Sequence, residues 1–280
     1  MVHLFKIWKV YQSQGTFHYF SLFFRIPSFW SRNYKLVDTP HGAVHFYQAP
    51  QPTAPCILVV FGGAFKRGSP DQLVHLLAAL RAEGFHVAAL PYPTLPTGVW
   101  PKNIEDLVAV AHHVMNMQRE GFSPREFHLM GRSAGGFLCL ALSSRLKQDS
   151  RIRSVTALYP ICDLKLWAEE KGAKEILSSH EIVPALLEDW NSSTVDLRDF
   201  EQSSSRRYFV ATGDFDRFVD PHHSYLLKTS LEAQGCQVFY RVYPLQNHGF
   251  DVSISSLAGQ LFWQDLLQTL LGQKPSGRTP

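Results

Sequence analysis

The chain has 280 residues, 45% of them hydrophobic and 18% charged, with a formal net charge of +3. That length and apolar content suit one sizeable α/β core. The near-neutral balance, with no long Lys or Arg run and no zinc-type spacing, argues against a nucleic-acid partner and against a metal site.

Residues 1–37 hold Lys6, Lys9, Arg25, Arg32 and Lys35, no acid, and a dense aromatic set that includes Phe17, Tyr19, Phe20, Phe23, Phe24, Phe29 and Trp30. Lys6 and Lys9 interrupt the early apolar stretch and no A-x-A-like cleavage site follows, so it does not read as a signal peptide. No apolar run approaches membrane-spanning length. Residues 1–33 are therefore set apart as a basic aromatic segment. Such a segment suits weak contact with an anionic membrane surface, but the simpler reading is packing over the core or the rim of the site. Residues 34–280 form the expected globular domain.

Strand-like Tyr34–Asp38 and Ala43–Tyr47 flank a Pro40-His41-Gly42 turn and predict an antiparallel hairpin. After the proline-rich connector Gln48–Pro55 comes Cys56–Val60, a continuous apolar run of the kind that makes a buried parallel strand. It leads into Phe61-Gly62-Gly63-Ala64-Phe65, where two glycines let main-chain N–H groups face a ligand. A helix over Asp71–Leu80 ends at Gly84, His86–Leu90 is the next strand, and Ile104–Met117 is a second helix. Phe127–Met130 predicts another strand, followed by Gly131-Arg132-Ser133-Ala134-Gly135 and a helix to about Leu146. Val155–Tyr159 is a further strand.

From Leu164 to about Ser205 the alternation stops. Leu166–Leu177 and Glu181–Trp190 read as helices of a small cap inserted before the next strand, residues 164–205, expected to cover the site and shape its pocket. Trp167, Leu177, Val183, Leu186, Leu187 and Trp190 are its candidate lining residues, although half or more of them are expected simply to pack. Arg207–Gly213 returns as a strand and is followed by Asp214, Asp216 and Asp220. Val238–Tyr243 is β-rich, a short loop brings His248, and a helix is expected near Asp251. Alternating strands and helices imply a mostly parallel sheet covered on both faces. Ligand sites in such sheets lie beyond the strand C-termini, where all these loops fall.

The G-x-S-x-G pattern between strand and helix holds a serine exposed on a strained turn, with a helix N-terminus behind it. A serine hydroxyl needs a base, and the base an orienting carboxylate. In strand–turn–helix nucleophile sites the order is serine, acid, histidine. Ser133, Asp216 and His248 supply it. Asp220-Pro221 reads instead as a helix start, and Asp214 is the alternative acid. The other twelve histidines lack a comparable strand-end position after the acid. Oxyanion donors are expected from the N–H of Ala134 and from the glycine loop.

These stretches resemble the α/β-hydrolase superfamily from about Cys56 to Leu271. Within it they are similar to esterases with an H-G-G-G-W-type oxyanion loop, the hormone-sensitive-lipase-like and feruloyl or acetyl esterase-like groups. Phe61-Gly62-Gly63-Ala64-Phe65 aligns with H-G-G-G-W, with Phe61, Ala64 and Phe65 replacing its His, third Gly and Trp. Leu90-Pro91-Tyr92-Pro93-Thr94-Leu95-Pro96 looks like the D-Y-R-L-A-P segment, although Pro91 and Pro93 differ. The resemblance implies an α/β-hydrolase fold, carboxylic ester hydrolysis without cofactor or metal, a Ser133–Asp216–His248 triad, and oxyanion donors at Gly62, Gly63 and Ala134.

The expected partner is a small ester, with short acyl chains suggested by the bulky Phe61, Phe65 and Phe137 nearby. The same machinery also serves amide cleavage of the arylformamidase or peptidase type. A non-catalytic binding protein that kept the fold is the reading from another class. The scattered cysteines Cys56, Cys139, Cys162 and Cys236 give no disulfide framework, which suits a cytoplasmic setting.

Overall fold

The computed structural model describes residues 34–187, 195–252 and 256–273. The basic aromatic segment 1–33 lies outside them. Eight strands form one sheet in the order β1-β2-β4-β3-β5-β6-β7-β8. β1 (Lys35–Thr39) and β2 (Gly42–Tyr47) make the antiparallel hairpin, and β2 pairs antiparallel with β4 (His86–Leu90). From β4 onward all neighbours are parallel: β3 (Cys56–Val60), β5 (Phe127–Arg132), β6 (Ile152–Leu158), β7 (Arg207–Gly213) and β8 (Gln237–Tyr243).

Every residue of β3, β4 and β5 is buried. That is why their sequences run apolar instead of alternating: helices cover both faces of the sheet. These helices are α1 (Val74–Ala82), α2 (Lys102–Met115), α3 (Ala134–Arg145), α7 (Pro221–Ala233) and α8 (Leu257–Leu270), with α4 to α6 between β6 and β7. Asp220 starts α7 as read from sequence, its carboxylate accepting the His222 N–H at 2.8 Å with Pro221 next. The far end of α3 is closed by Arg206. Its buried guanidinium donates to the Ser143 carbonyl at 2.7 Å and to that of Leu146, two carbonyls left without helical partners. Among the described residues no helix is long and apolar enough to cross a membrane.

The helix expected over Asp71–Leu80 is a 3-10 turn, Pro70–Leu73, followed by α1 from Val74, and three further expectations change. The single helix over Leu166–Leu177 is two, α4 (Leu164–Glu169) and α5 (Lys171–Leu177), broken where Glu170 turns extended at ψ 131°. The start moves upstream because Asp163 caps α4, accepting the N–H groups of Lys165 and Leu166. The next helix, α6, covers Ser179–Leu186, and Leu187 leaves it extended to bridge Trp100; Trp190 lies outside the described residues. Near Asp251 there is only a short 3-10 turn, Phe250–Val252, and α8 begins at Leu257.

His128 on β5 is buried, with Nδ1 2.8 Å from Ser154 Oγ on β6. Burial, helped by Arg207 and Arg153, pushes its pKa down to about 3. In the unfolded chain an imidazole titrates near 6.5. As pH falls the unfolded state therefore takes up this proton first, and stability drops by up to about 1.4 kcal/mol per pH unit between roughly pH 6.5 and 3. Above that window His128 has no such effect. His128→Leu should flatten the acid side of a plot of urea midpoint against pH. An unchanged slope would assign the acid sensitivity to other groups.

Candidate active site

β5 ends at Arg132, and Ser133 turns the chain at φ 55°, ψ −125° before α3 begins at Ala134. The Ser133 N–H donates to the Leu158 carbonyl at 2.9 Å. The Ser133 carbonyl accepts from Gly136 and Phe137 at 2.8 and 3.1 Å, so the helix closes immediately behind the serine. The flanking glycines are needed for close approach. A Cβ on Gly135 would lie 2.2 Å from the Phe61 carbonyl oxygen, and one on Gly131 would lie 2.1 Å from that of Gly135. The helix thus seats directly on the end of β3.

The loop after β3 is wound against this turn. Gly63 stands at φ 133°, and its carbonyl accepts from both Lys66 and Arg67 at 3.1 Å. Ala64 and Phe65 follow at φ 54° and 58°. Gly62 packs against the serine, where an added Cβ would stand 3.2 Å from Ser133 Cβ. The backbone N–H groups of Gly62, Gly63 and Ala134 donate to no protein acceptor among the described residues.

Asp216 and His248 meet across 32 residues. His248 Nδ1 lies 2.7 Å from Asp216 Oδ2, while Asp216 Oδ1 accepts the N–H groups of Phe218 and Val219 at 2.9 and 3.0 Å. The carboxylate is fully buried, and two backbone donors plus the imidazole set its direction. The acid and histidine loops are laced together: Asn247 Oδ1 accepts from the backbones of Arg217 and His248, and Phe215 N–H donates to the Gln246 carbonyl. Asp214 is exposed, and Asp220 is occupied at the α7 cap.

Ser133, His248, Gly62 and Gly63 line one open cleft. Tyr159, Phe218 and Leu177 add its apolar walls, and Arg67 and Gln72 its polar side. Of the insertion residues expected to line it, Leu177 does so. Trp167, Val183, Leu186 and Leu187 are buried as packing. Phe61, Phe65 and Phe137 do not reach the cleft either. Phe61 stacks on Tyr92 at 4.3 Å, and Phe65 meets Phe137 and Trp167 edge-on. Their bulk goes to the core, so it does not narrow the pocket. Among the described residues no group of three or more His, Cys, Asp or Glu side chains is arranged to hold a metal ion.

A second polar group beside the serine escaped the sequence reading. Arg132 Nε lies 2.8 Å from both the Tyr159 hydroxyl and Asp251 Oδ2, and its Nη2 is 3.1 Å from Asp251 Oδ1. The Tyr159 hydroxyl donates to Asp251 Oδ1 at 2.5 Å. Burial opposes the Arg132 charge, but the Asp251 carboxylate outweighs it and holds the guanidinium pKa above its ordinary value. Burial drives the Tyr159 hydroxyl well above the usual phenol range. The Tyr159 ring lies 4.2 Å from the His248 imidazole and that of Phe218 5.3 Å from it. The available signal was adjacency: Arg132 precedes Ser133, and Asp251 follows His248 by three residues.

Residues 57–252 match the sequence profile of the family described as alpha/beta hydrolase fold. The chain belongs to that family. This α/β hydrolase is 29% identical over 156 residues to a Mycobacterium tuberculosis protein named as an acetyl-hydrolase, LipR, a match covering 55% of this chain and 46% of the relative. It is 30% identical over 192 residues to an acetyl-hydrolase of Streptomyces hygroscopicus, covering 67% and 58%. The chain thus spans about half the length of these curated relatives. Among solved structures it is similar in fold to esterase B of Lactobacillus rhamnosus, with TM-score 0.75, 16% identity, and 97% and 94% of the two chains covered. A metagenomic hormone-sensitive lipase gives TM-score 0.70 at 19% identity, covering 93% and 89%.

The glycine turn of this α/β hydrolase can be tested against a control. Gly63 and Gly84 both have positive φ, but only Gly63 lacks room: its Cβ would lie 1.7 Å from the Arg67 carbonyl oxygen, whereas Gly84 has nothing within 4 Å. Gly84→Ala should cost about 1 kcal/mol. Gly63→Ala should lower the urea midpoint substantially further. Equal shifts would mean that the turn at Gly63 relaxes freely.

Proposed function

We propose that this chain is a serine carboxylesterase working through an acyl-enzyme. The observation that carries the reading is the 2.7 Å contact between His248 Nδ1 and the buried Asp216, with His248 and Ser133 lining one cleft beside Gly62 and Gly63.

In this reading Ser133 Oγ attacks the ester carbonyl carbon as His248 Nε2 takes the hydroxyl proton. Asp216 accepts from Nδ1–H, which selects the tautomer with a free Nε2 and stabilises the imidazolium that forms. The carbonyl oxygen becomes an anion beside the unengaged N–H groups of Gly62, Gly63 and Ala134. Collapse breaks the bond to the alkoxy oxygen, which leaves with the proton from His248. Water then repeats the sequence on the acyl-enzyme, returning the acid and free Ser133. The N-terminus of α3 adds positive potential where the oxyanion develops.

Residues 164–205 are the cap over the cleft in this reading, supported by the three short helices between β6 and β7 and by Leu177 in the cleft wall. The names of the two acetyl-hydrolase relatives support short acyl chains. Four free, buried thiols support a reducing, cytoplasmic compartment. The composition of residues 1–33 supports weak contact with an anionic membrane surface.

Hydrolysis of p-nitrophenyl esters from acetate to decanoate, wild type against Ser133→Ala, tests the function. Turnover is expected to peak at short chains and to vanish in the variant. Asp216→Asn should cut kcat by about 10⁴-fold. No turnover on any ester, with a phosphonate still labelling Ser133, would move the assignment to amide cleavage. No labelling would leave a binding protein.

A further inference from the structure

We propose that Arg132, Tyr159 and Asp251 form a positioning unit that locks the histidine loop to the nucleophile turn and so sets the alignment of His248 with Ser133. The inference rests on the serine-hydrolase reading above.

The unit joins three strand ends that no local interaction could hold. Arg132 is the last residue of β5 and shares a peptide bond with Ser133. Tyr159 follows β6 directly, and Asp251 sits in the turn just after His248. Among the described residues His248 has one side-chain hydrogen bond, to Asp216, and that bond alone leaves its ring free to swing about the Nδ1 contact. The Tyr159 ring at 4.2 Å and the Phe218 ring at 5.3 Å restrict that swing. The Tyr159 ring is itself fixed from both ends. The Tyr159 backbone N–H donates to the Ala211 carbonyl at 2.6 Å, and the ring hydroxyl lies between Arg132 and Asp251.

Stability alone is a poor reason for the pair. The Arg132 and Asp251 side chains are 8% and 1% exposed, and a buried ion pair is commonly no better for stability than apolar residues of similar size. What it supplies is direction. Two guanidinium nitrogens on one carboxylate admit a single relative placement of the two loops.

The pair is also neutral overall, because Asp251 compensates the buried Arg132 guanidinium.

Four proteins make the test: wild type, Tyr159→Phe, Asp251→Asn, and the double variant Arg132→Met with Asp251→Leu. The double variant removes both charges and leaves neither orphaned. The readouts are kcat and KM on p-nitrophenyl acetate and the rate of fluorophosphonate labelling. The double variant should fold, with kcat and labelling rate down together by about 30- to 100-fold and KM within about 3-fold, the size expected of a misaligned reacting pair. Tyr159→Phe keeps the ring and loses only the hydroxyl, and should lower both rates by about 3- to 10-fold at unchanged KM. Asp251→Asn leaves the buried Arg132 guanidinium without its carboxylate and should lower both rates at least as far as Tyr159→Phe, at unchanged KM.

A folded double variant with kcat and labelling within about 2-fold of wild type would overturn the proposal, because full recovery on charge removal is what a purely structural pair predicts. Should the double variant not fold, Tyr159→Phe decides: wild-type rates overturn the proposal and a parallel loss sustains it. A wild-type protein that is labelled and active keeps the esterase reading whichever way the variants fall. A wild type that is neither labelled nor active overturns both.

Discussion

The backbone at Ser133 is the constraint on which the rest of the site depends. A non-glycine residue at φ 55°, ψ −125° costs on the order of 1–3 kcal/mol. It persists only where the surroundings over-determine it. Here β5 is held on both sides by parallel neighbours, α3 is seated through Gly135 on the end of β3, and the Ser133 N–H is anchored on Leu158. Arg206 closes the opposite end of α3, so the helix behind the serine is secured at both termini. Ala64, Phe65 and Tyr159, three of the five other described non-glycine residues with positive φ, lie in the same region, while Ser178 and Leu245 do not line the cleft. The strain is concentrated where the chain is bent around the cleft.

Parallel pairing then gathers the remaining parts. β3, β5, β6, β7 and β8 all end at one edge of the sheet, so one end of it receives Gly62 and Gly63, Ser133, Tyr159, Asp216 and His248 in turn. Strands need no special sequence for this. β3 and β5 are buried along their whole length, and residues just beyond the strand ends line the cleft.

Two buried carboxylates, Asp216 against the imidazole and Asp251 behind the Tyr159 hydroxyl, have separate partners. Asp216 is held by two backbone N–H groups and His248, while Asp251 is held by Arg132 and the Tyr159 hydroxyl. Each is satisfied by its own donors. The Tyr159 ring stands between these systems, bonded to one and packed on the other.

Much of the fold was legible because its signals are local. Cys56–Val60 and His86–Leu90 are the observed strands to the residue, since each is a short apolar run bounded by turn residues. Asp220-Pro221 starts α7 because a cap acts within one turn. The G-x-S-x-G turn could be read because its glycines answer to contacts that the motif always makes. Other features rest on contacts the sequence does not order. Asp220 is set aside by its local role as a cap, but that Asp216, and not Asp214, meets a histidine 32 residues on follows from the β7–β8 pairing that brings the two loops together. Phe61, Phe65 and Phe137 carry the same bulk whether they line a pocket or fill a core, and only helix and sheet packing sent them inward. The joint between Arg132 and Asp251 spans 119 residues and exists only once β5 and the loop after β8 are brought together. Short-range chemistry determined the strands, the cap and the strained turn, whereas the direction of each side chain around the cleft was decided by tertiary packing.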